Sequence, residues 1–384
     1  MEQVRTAPVK VLHMGDVFLD CPFSAMTAEQ SAARRREARG TFLRTVKYAQ
    51  EQELDLVLIS GNLLDNRYAT LETLEMLRAA FSSAPAVRFV ICPGSHDPLT
   101  PDSIYTLGRL PENVTVVRTE APSRYDFPEA GFSVTAWAFC DKTYPKAPLA
   151  DGKAEPLAGC VSLVAGCAAE GAEEGLAPVS INQIGEFGGD YTALSGGSLF
   201  DGFHRVAQTT YAYSGALENS CYEEPGFGGA NLLTLYPSPT GGAARVECAR
   251  VDLGCRRYAI EEFDITGIDN PNEVLNRITA VISERGYGKE TALRVILTGK
   301  TPIGFAVPRT MTNESFGVYV FDLVDRTLPA FDDSRVARDM TVRGEVCRTL
   351  IPQMRGGDEE EAQNAARALR IALGALDGRD VTKL

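Results

Sequence analysis

Histidine is nearly missing from this chain: His13, His96 and His204 are the only three in 384 residues. A His-rich metal centre therefore cannot be assembled. The nine cysteines are an odd set with no CxxC pair, which excludes zinc-ribbon spacing and reads as scattered reduced core thiols. Trp137 is the single tryptophan, and it reads as core rather than as a base-stacking platform. No apolar run approaches the roughly 20 residues of a membrane span. The opening MEQVRTAPVKVL has no signal-peptide apolar region. The expectation is a cytoplasmic chain without a membrane partner. Basic residues number 38 against 51 acidic ones, a net charge of −13. That excludes a free-standing nucleic-acid binder with a broadly basic surface, while leaving room for a local basic groove or for DNA association within a complex.

Several catalytic motifs are missing as well. There is no GxSxG. Ser95, His96 and Asp97 are consecutive, whereas a hydrolytic triad converges from separate places. Gly299-Lys300-Thr301 has the end of a phosphate-binding loop, but Arg294 stands where its first glycine belongs.

What is present is an ordinary globular composition, 44% hydrophobic and 23% charged, long enough for two or three domains. Three stretches share one form. VKVLHMGD (9–16), LDLVLISGN (54–62) and VRFVICPGSHDP (87–98) are each an apolar strand that breaks at glycine and then turns polar. An α/β protein brings chemistry to the carboxyl edge of its sheet in this way. The three corners would gather Asp16, Asn62, Ser95, His96 and Asp97. Helical spacing predicts helices over 29–52 and 70–82, so the opening reads as parallel βαβ units. The first helix carries Arg34, Arg35, Arg36 and Arg39, which read as a solvated face or a phosphate-contact patch. Later segments turn to β structure, including 132–139, 160–167, 190–194, 209–214, 230–236 and 244–253.

On these residues the chain resembles the calcineurin-like metallophosphoesterases, and within them the SbcD-type DNA repair exonucleases. Family corners carry DxH, GD, GNHD, a later HG and a final GHxH. Here they read Asp16-Val17-Phe18, Gly61-Asn62, Gly94-Ser95-His96-Asp97, Ala165-Gly166 and Gly196-Gly197-Ser198. The resemblance implies a four-layer α/β/β/α sandwich over residues 1–254. A smaller α+β cap would follow over 255–328, then a C-terminal helical segment over 329–384. A boundary is expected near Gly254–Arg257, a helix opened by Asn270-Pro271, strands at 293–297 and 316–321, and tail helices over 333–350 and 358–377.

A two-metal phosphodiesterase holds its cations roughly 3.5–4 Å apart on carboxylate, imidazole and carbonyl ligands. Of the family's ligand positions, Asp16 alone keeps its residue. Phe18 replaces a histidine, and Asn62 replaces the bridging aspartate whose charge lets two cations sit close together. Ser95 replaces an asparagine, while Ala165, Gly196 and Ser198 replace three more histidines. His96 and Asp97 match the family's acid and its orienting carboxylate, here as a vestigial pair with Asp97 fixing His96. The resulting expectation is an SbcD-like exonuclease homologue that is catalytically impaired or inactive and holds no cofactor. As the family implies, it would be a structural or DNA-associated subunit of an SbcC-like ABC ATPase and a possible homodimer. Two alternatives stay open. One is an active metal-dependent exonuclease with a reduced site at Asp16, Asn62 and His96, a weak single Mn2+ or Mg2+ being held on the oxygens of Asp16, Asn62, Asp65 and Ser95. The other is a nucleotide or small-molecule binder using the vacated pocket.

Overall fold

The computed structural model describes residues 7–23, 27–169, 175–197, 199–238, 242–302, 305, 311–330, 336, 338–356 and 358–378. Ser198 lies outside them, as does the start of the first tail helix expected from sequence. Contacts divide the chain into two units, Met1–Ser220 with Phe227–Cys255, and Cys221–Gly226 with Arg256–Leu384.

The first unit begins with β1 (Val9–Met14), α1 (Ala28–Glu51), β2 (Leu56–Ile59), α2 (Leu71–Ser82) and β3 (Arg88–Ile91). Both helices start at capping boxes, Thr27 with Gln30 and Thr70 with Thr73, which satisfy amide donors that a helix start leaves open. β4 (Val114–Val116) completes the parallel run β1-β2-β3-β4, and β11 (Gly226–Tyr236) pairs antiparallel with β1. The second sheet contains β5 (Ser123–Phe127), β6 (Phe132–Ala136), β7 (Val161–Cys167), β8 (Tyr191–Ser195), β9 (His204–Val206) and β10 (Thr209–Tyr213), in the order β5-β6-β7-β8-β10-β9. Its central strands β6, β7, β8 and β10 are parallel.

Alternation along the strands sets the layers. Val9, Val11, Leu56, Leu58 and Val90 of the first sheet pack on Val134, Leu163, Ala165, Tyr191 and Ala193 of the second. The other face of the first sheet packs on α1 and α2 through Phe42, Val46, Leu77 and Phe81. The outer face of the second is covered by Trp137, Phe139 and α4 (Ile181–Phe187). This is the expected helix-sheet-sheet-helix sandwich. Buried parallel strands lend it near-continuous apolar sequences.

Two local expectations need correction, while the boundary expected near Gly254–Arg257 coincides with the division of the chain between Cys255 and Arg256, which falls inside one strand, β12 (Arg245–Asp264). Gly254 is there for close approach: a Cβ at that position would lie 2.9 Å from the Gly228 amide nitrogen. The strand expected over 316–321 begins as a helical turn, Asn313–Phe316, capped by Thr312 and ended by Gly317 at φ 67°. The strand itself is Val320–Asp325. The arginines of α1 form neither a solvated face nor a phosphate patch as a group. Arg34 is fully buried on Glu218 (3.0 Å) and Glu37 (2.7 Å), and Arg39 reaches Asp20 (2.6 Å) and Glu72.

In the second unit, the end of β12 pairs parallel with β13 (Thr291–Thr298), which pairs parallel with Val320–Asp325. Helix α5 (Pro271–Arg285) opens on the Asn270 cap with Pro271 in its first turn, and buries Val274, Ile278 and Ile282. Helices Val342–Gly356 and Glu359–Leu376 meet through Cys347, Ile351, Ala366, Leu369 and Leu373. Among the described residues, no helix is long and apolar enough to cross a membrane.

Candidate functional site

Five strand ends of the first unit converge: β1 at Gly15-Asp16, β2 at Gly61-Asn62, β3 at Gly94–Asp97, β7 at Cys167 and β8 at Gly196-Gly197. The approach is tight. A Cβ on Gly15 would fall 2.5 Å from Ser195, and one on Gly94 would fall 2.4 Å from Asn62 Oδ1. Asp16, Phe18 and Asn62 hold φ of 48°, 47° and 52°, a region that non-glycine residues seldom enter and that structure must impose. The backbone ties imposing it are Asp16 N–H to Gly61 O at 3.0 Å, and Val17 and Phe18 N–H to Asn62 O at 2.9 and 3.1 Å.

Asp16 is the hub of the first layer. Its side chain is buried, the residue 4% exposed, and both oxygens accept hydrogen bonds. Asn62 Nδ2 donates to Oδ1 at 2.8 Å, and the Gly196 and Gly197 amides donate to Oδ2 at 3.1 and 3.0 Å. Burial pushes the Asp16 carboxyl above its ordinary range, against the pull of those three donors. The Asn62 amide is oriented by its other end, because Oδ1 accepts the His96 backbone N–H at 3.1 Å.

Asp97 is a second hub. Fully buried, it accepts from Gly94 N (2.7 Å), Asn62 N (3.2 Å), Leu63 N (2.9 Å) and the Tyr105 hydroxyl (2.7 Å). It therefore clasps the β2 and β3 corners and does not orient His96, correcting the expected pair. His96 Nδ1 lies 3.1 Å from Asp65 Oδ2 instead. Consecutive residues leaving a strand end diverge, so adjacency in sequence did not become contact. Asp65 also takes the Arg67 guanidinium, with Nε at 2.9 Å from Oδ1 and an Nη at 2.5 Å from Oδ2. Burial alone would raise the Asp65 carboxyl, but Arg67 and His96 outweigh it and hold it at about 2. The His96 side chain is 44% exposed, and the Phe18 ring meets it edge-on at 5.0 Å between centroids. From sequence Asp65 reads only as a possible cation oxygen; its contact with His96 was missed, although it occupies the last position of the GDxxD frame, here Gly61-Asn62-Leu63-Leu64-Asp65.

The remaining positions are spread out. Ser95 is half-buried, and its backbone is hydrogen-bonded to the Cys167 sulfur. Burial, reinforced by Asp16, pushes that thiol to about 12, so it is no thiolate at neutral pH. Ala165 points into the core between the sheets. A side chain at Gly196 would collide with Ala168 O at 2.7 Å, and one at Gly166 with the Trp137 ring at 2.2 Å. His13 is fully buried between Tyr191 (2.9 Å) and Ser60 (3.0 Å), and burial, then Arg250, lowers its pKa to about 3. His204 is on the edge strand β9 and is held by Asp201 at 2.9 Å.

The donor set does not fit a dinuclear metal centre. Cations need converging lone pairs. At Asp16 three N–H groups converge, and the Asp65 oxygens are already taken by a guanidinium and an imidazole. Among the described residues, no three His, Cys, Asp or Glu side chains are placed to share a metal ion. Three surface cavities of about 690, 740 and 630 Å³ lie elsewhere, beside Arg124, Asp190 and Leu350 respectively, and none of them is lined by Asn62.

Compared with known protein families, residues 9–187 match the calcineurin-like phosphoesterases. A calcineurin-like phosphoesterase domain thus spans residues 9–187.

Proposed function

We propose that this protein is an SbcD-like exonuclease homologue whose phosphoesterase centre is catalytically silent, serving as a structural, DNA-associated subunit beside an SbcC-like ABC ATPase. One observation carries the reading: both Asp16 oxygens are engaged by amide donors, so the position that should ligate a cation is closed by the protein itself. One family position reinforces it. Gly196 cannot accept a ligating side chain without moving the Ala168 backbone. No single substitution there restores a histidine.

The exposed remnant of the corner is His96 and Arg67, both fixed on Asp65. A DNA phosphate is what two such outward-facing donors would meet. That contact is local, as the acidity of the whole chain requires. The ATPase would be held through the second unit, and copies of the first unit would pair with each other.

The test is metal content with activity. The purified chain is dialysed with excess Mn2+, analysed for bound metal, and assayed on single- and double-stranded DNA. No bound metal and no cleavage is expected. Two equivalents of Mn2+, with cleavage abolished by Asp16→Ala and His96→Ala, would restore the exonuclease. Failure to co-elute with a co-expressed SbcC-like ATPase would remove the partner from the proposal.

A further inference from the structure

The corner has changed sign. Asn62 Nδ2, Gly196 N–H and Gly197 N–H all point at one place, 2.8, 3.1 and 3.0 Å from the oxygens of Asp16. Gly196 and Gly197 have φ of 135° and 88°, so two successive amides turn to the same side. Successive amides arranged this way form a concavity that attracts anions. Asn62 cannot flip to offer its oxygen, because Oδ1 already accepts from His96 N–H. Taken without the Asp16 side chain, this is a three-donor socket for an oxyanion.

We propose that the corner is an oxyanion cradle in which the Asp16 carboxylate is the resident occupant, and that a phosphate group is the external ligand it takes when Asp16 is out of the way. Asp16 is then an internal competitor, an autoinhibitory contact built from the residue that the family uses for metal. The inference rests on the metal-free reading above. The cradle has an open side: Gly197 is exposed, and a Cβ built on it meets nothing within 4 Å. Removing the competitor is conformationally simple, because Asp16 sits at φ 48°, where glycine is unstrained.

The experiment is isothermal titration of the full chain with inorganic phosphate, in chloride buffer containing EDTA. The unaltered protein is compared with Asp16→Gly, Asp16→Ser and the double variant Asp16→Gly/Asn62→Ala. Asp16→Gly should bind phosphate at least about 10-fold more tightly than the unaltered protein. Adding Asn62→Ala should cost about 10-fold or more of that affinity, the worth of one charge-assisted hydrogen bond. A folded Asp16→Gly protein that binds no better than the unaltered chain overturns the proposal. So does affinity insensitive to Asn62→Ala. An acetate arm separates a phosphate cradle from a mere socket for the chain's own carboxylate, and binding of acetate alone is also a refutation. Should Asp16→Gly fail to fold, Asp16→Ser replaces it, and phosphate must then raise the melting temperature of the variant and not of the unaltered protein. EDTA keeps the two readings apart: Mn2+ uptake by the unaltered chain would sink the silent-centre reading, whereas the phosphate titration judges the cradle alone.

Discussion

Asn62→Asp is the substitution that probes the corner most directly. It exchanges Nδ2, which donates to Asp16 at 2.8 Å, for an oxygen, while the oxygen that accepts from His96 N–H is kept. Two carboxylates would then face each other among residues only 4% and 2% exposed. At 2.8 Å and an effective dielectric of about 20, full charges would repel by about 6 kcal/mol. Sharing one proton caps that penalty, and a lost charge-assisted hydrogen bond alone costs about 1.5–3 kcal/mol. A net loss of about 3 kcal/mol at pH 7–8 follows, or a drop of roughly 6–12 °C in melting temperature for a domain of this size. The sign with pH is definite. The proton-sharing pair has a folded pKa raised above the unfolded carboxylate value of about 4, so the variant's deficit is small below that pH and grows as pH rises through the pair's pKa. Thermal melts from pH 4 to 8 read it. Millimolar Mn2+ should recover part of the loss in Asn62→Asp and leave the unaltered protein unmoved. A variant as stable as the parent at pH 8 would refute the argument that this amide holds Asp16 in place.

Other consequences are equally direct. Tyr105→Phe removes the hydroxyl donor to Asp97 and should cost about 1–3 kcal/mol in urea unfolding. Arg34→Leu leaves Glu218 buried without its cation and should cost about 3–5 kcal/mol, the largest effect of a surface-helix substitution here, read by chemical denaturation. His13 has a folded pKa near 3, depressed by burial, so the stability it contributes is present above its unfolded pKa near 6.5 and is lost as pH falls toward 3. That amounts to about 4–5 kcal/mol, and His13→Gln should flatten the acid limb of a stability-against-pH curve. Arg67→Ala should bring the Asp65 carboxyl up from about 2, measured by NMR titration of carboxyl carbons.

The sandwich was legible because its strands are buried on both faces and end in glycine. β1, β2, β3 and β7 are apolar runs that no amphipathic helix produces, and each break to Gly-Asp, Gly-Asn or Gly-Ser-His-Asp marks a corner. The partners inside the corner were not legible. His96 looked paired with its neighbour Asp97, but the chain turns between them, so Asp97 finds Tyr105 and three amides while His96 finds Asp65. Arg34 looked like part of a basic face because its carboxylate, Glu218, is 184 residues away. The boundary near Gly254–Arg257 was legible, but its running through one strand was not, because the close packing of Gly254 against Gly228 leaves no trace in a single sequence.

What holds the corner together has a physical explanation in these contacts. In a dinuclear centre the cations are hubs, and carboxylates and imidazoles radiate from them. Here the hubs are two carboxylates and the spokes are N–H and O–H groups. Asp16 joins the corners of β1, β2 and β8, and Asp97 joins those of β2 and β3. Asn62 belongs to both sets, donating its side-chain amide to Asp16 and its backbone amide to Asp97. An aspartate at that position could serve the second hub but would repel the first. Asparagine at position 62 is therefore what lets both carboxylate hubs share one corner.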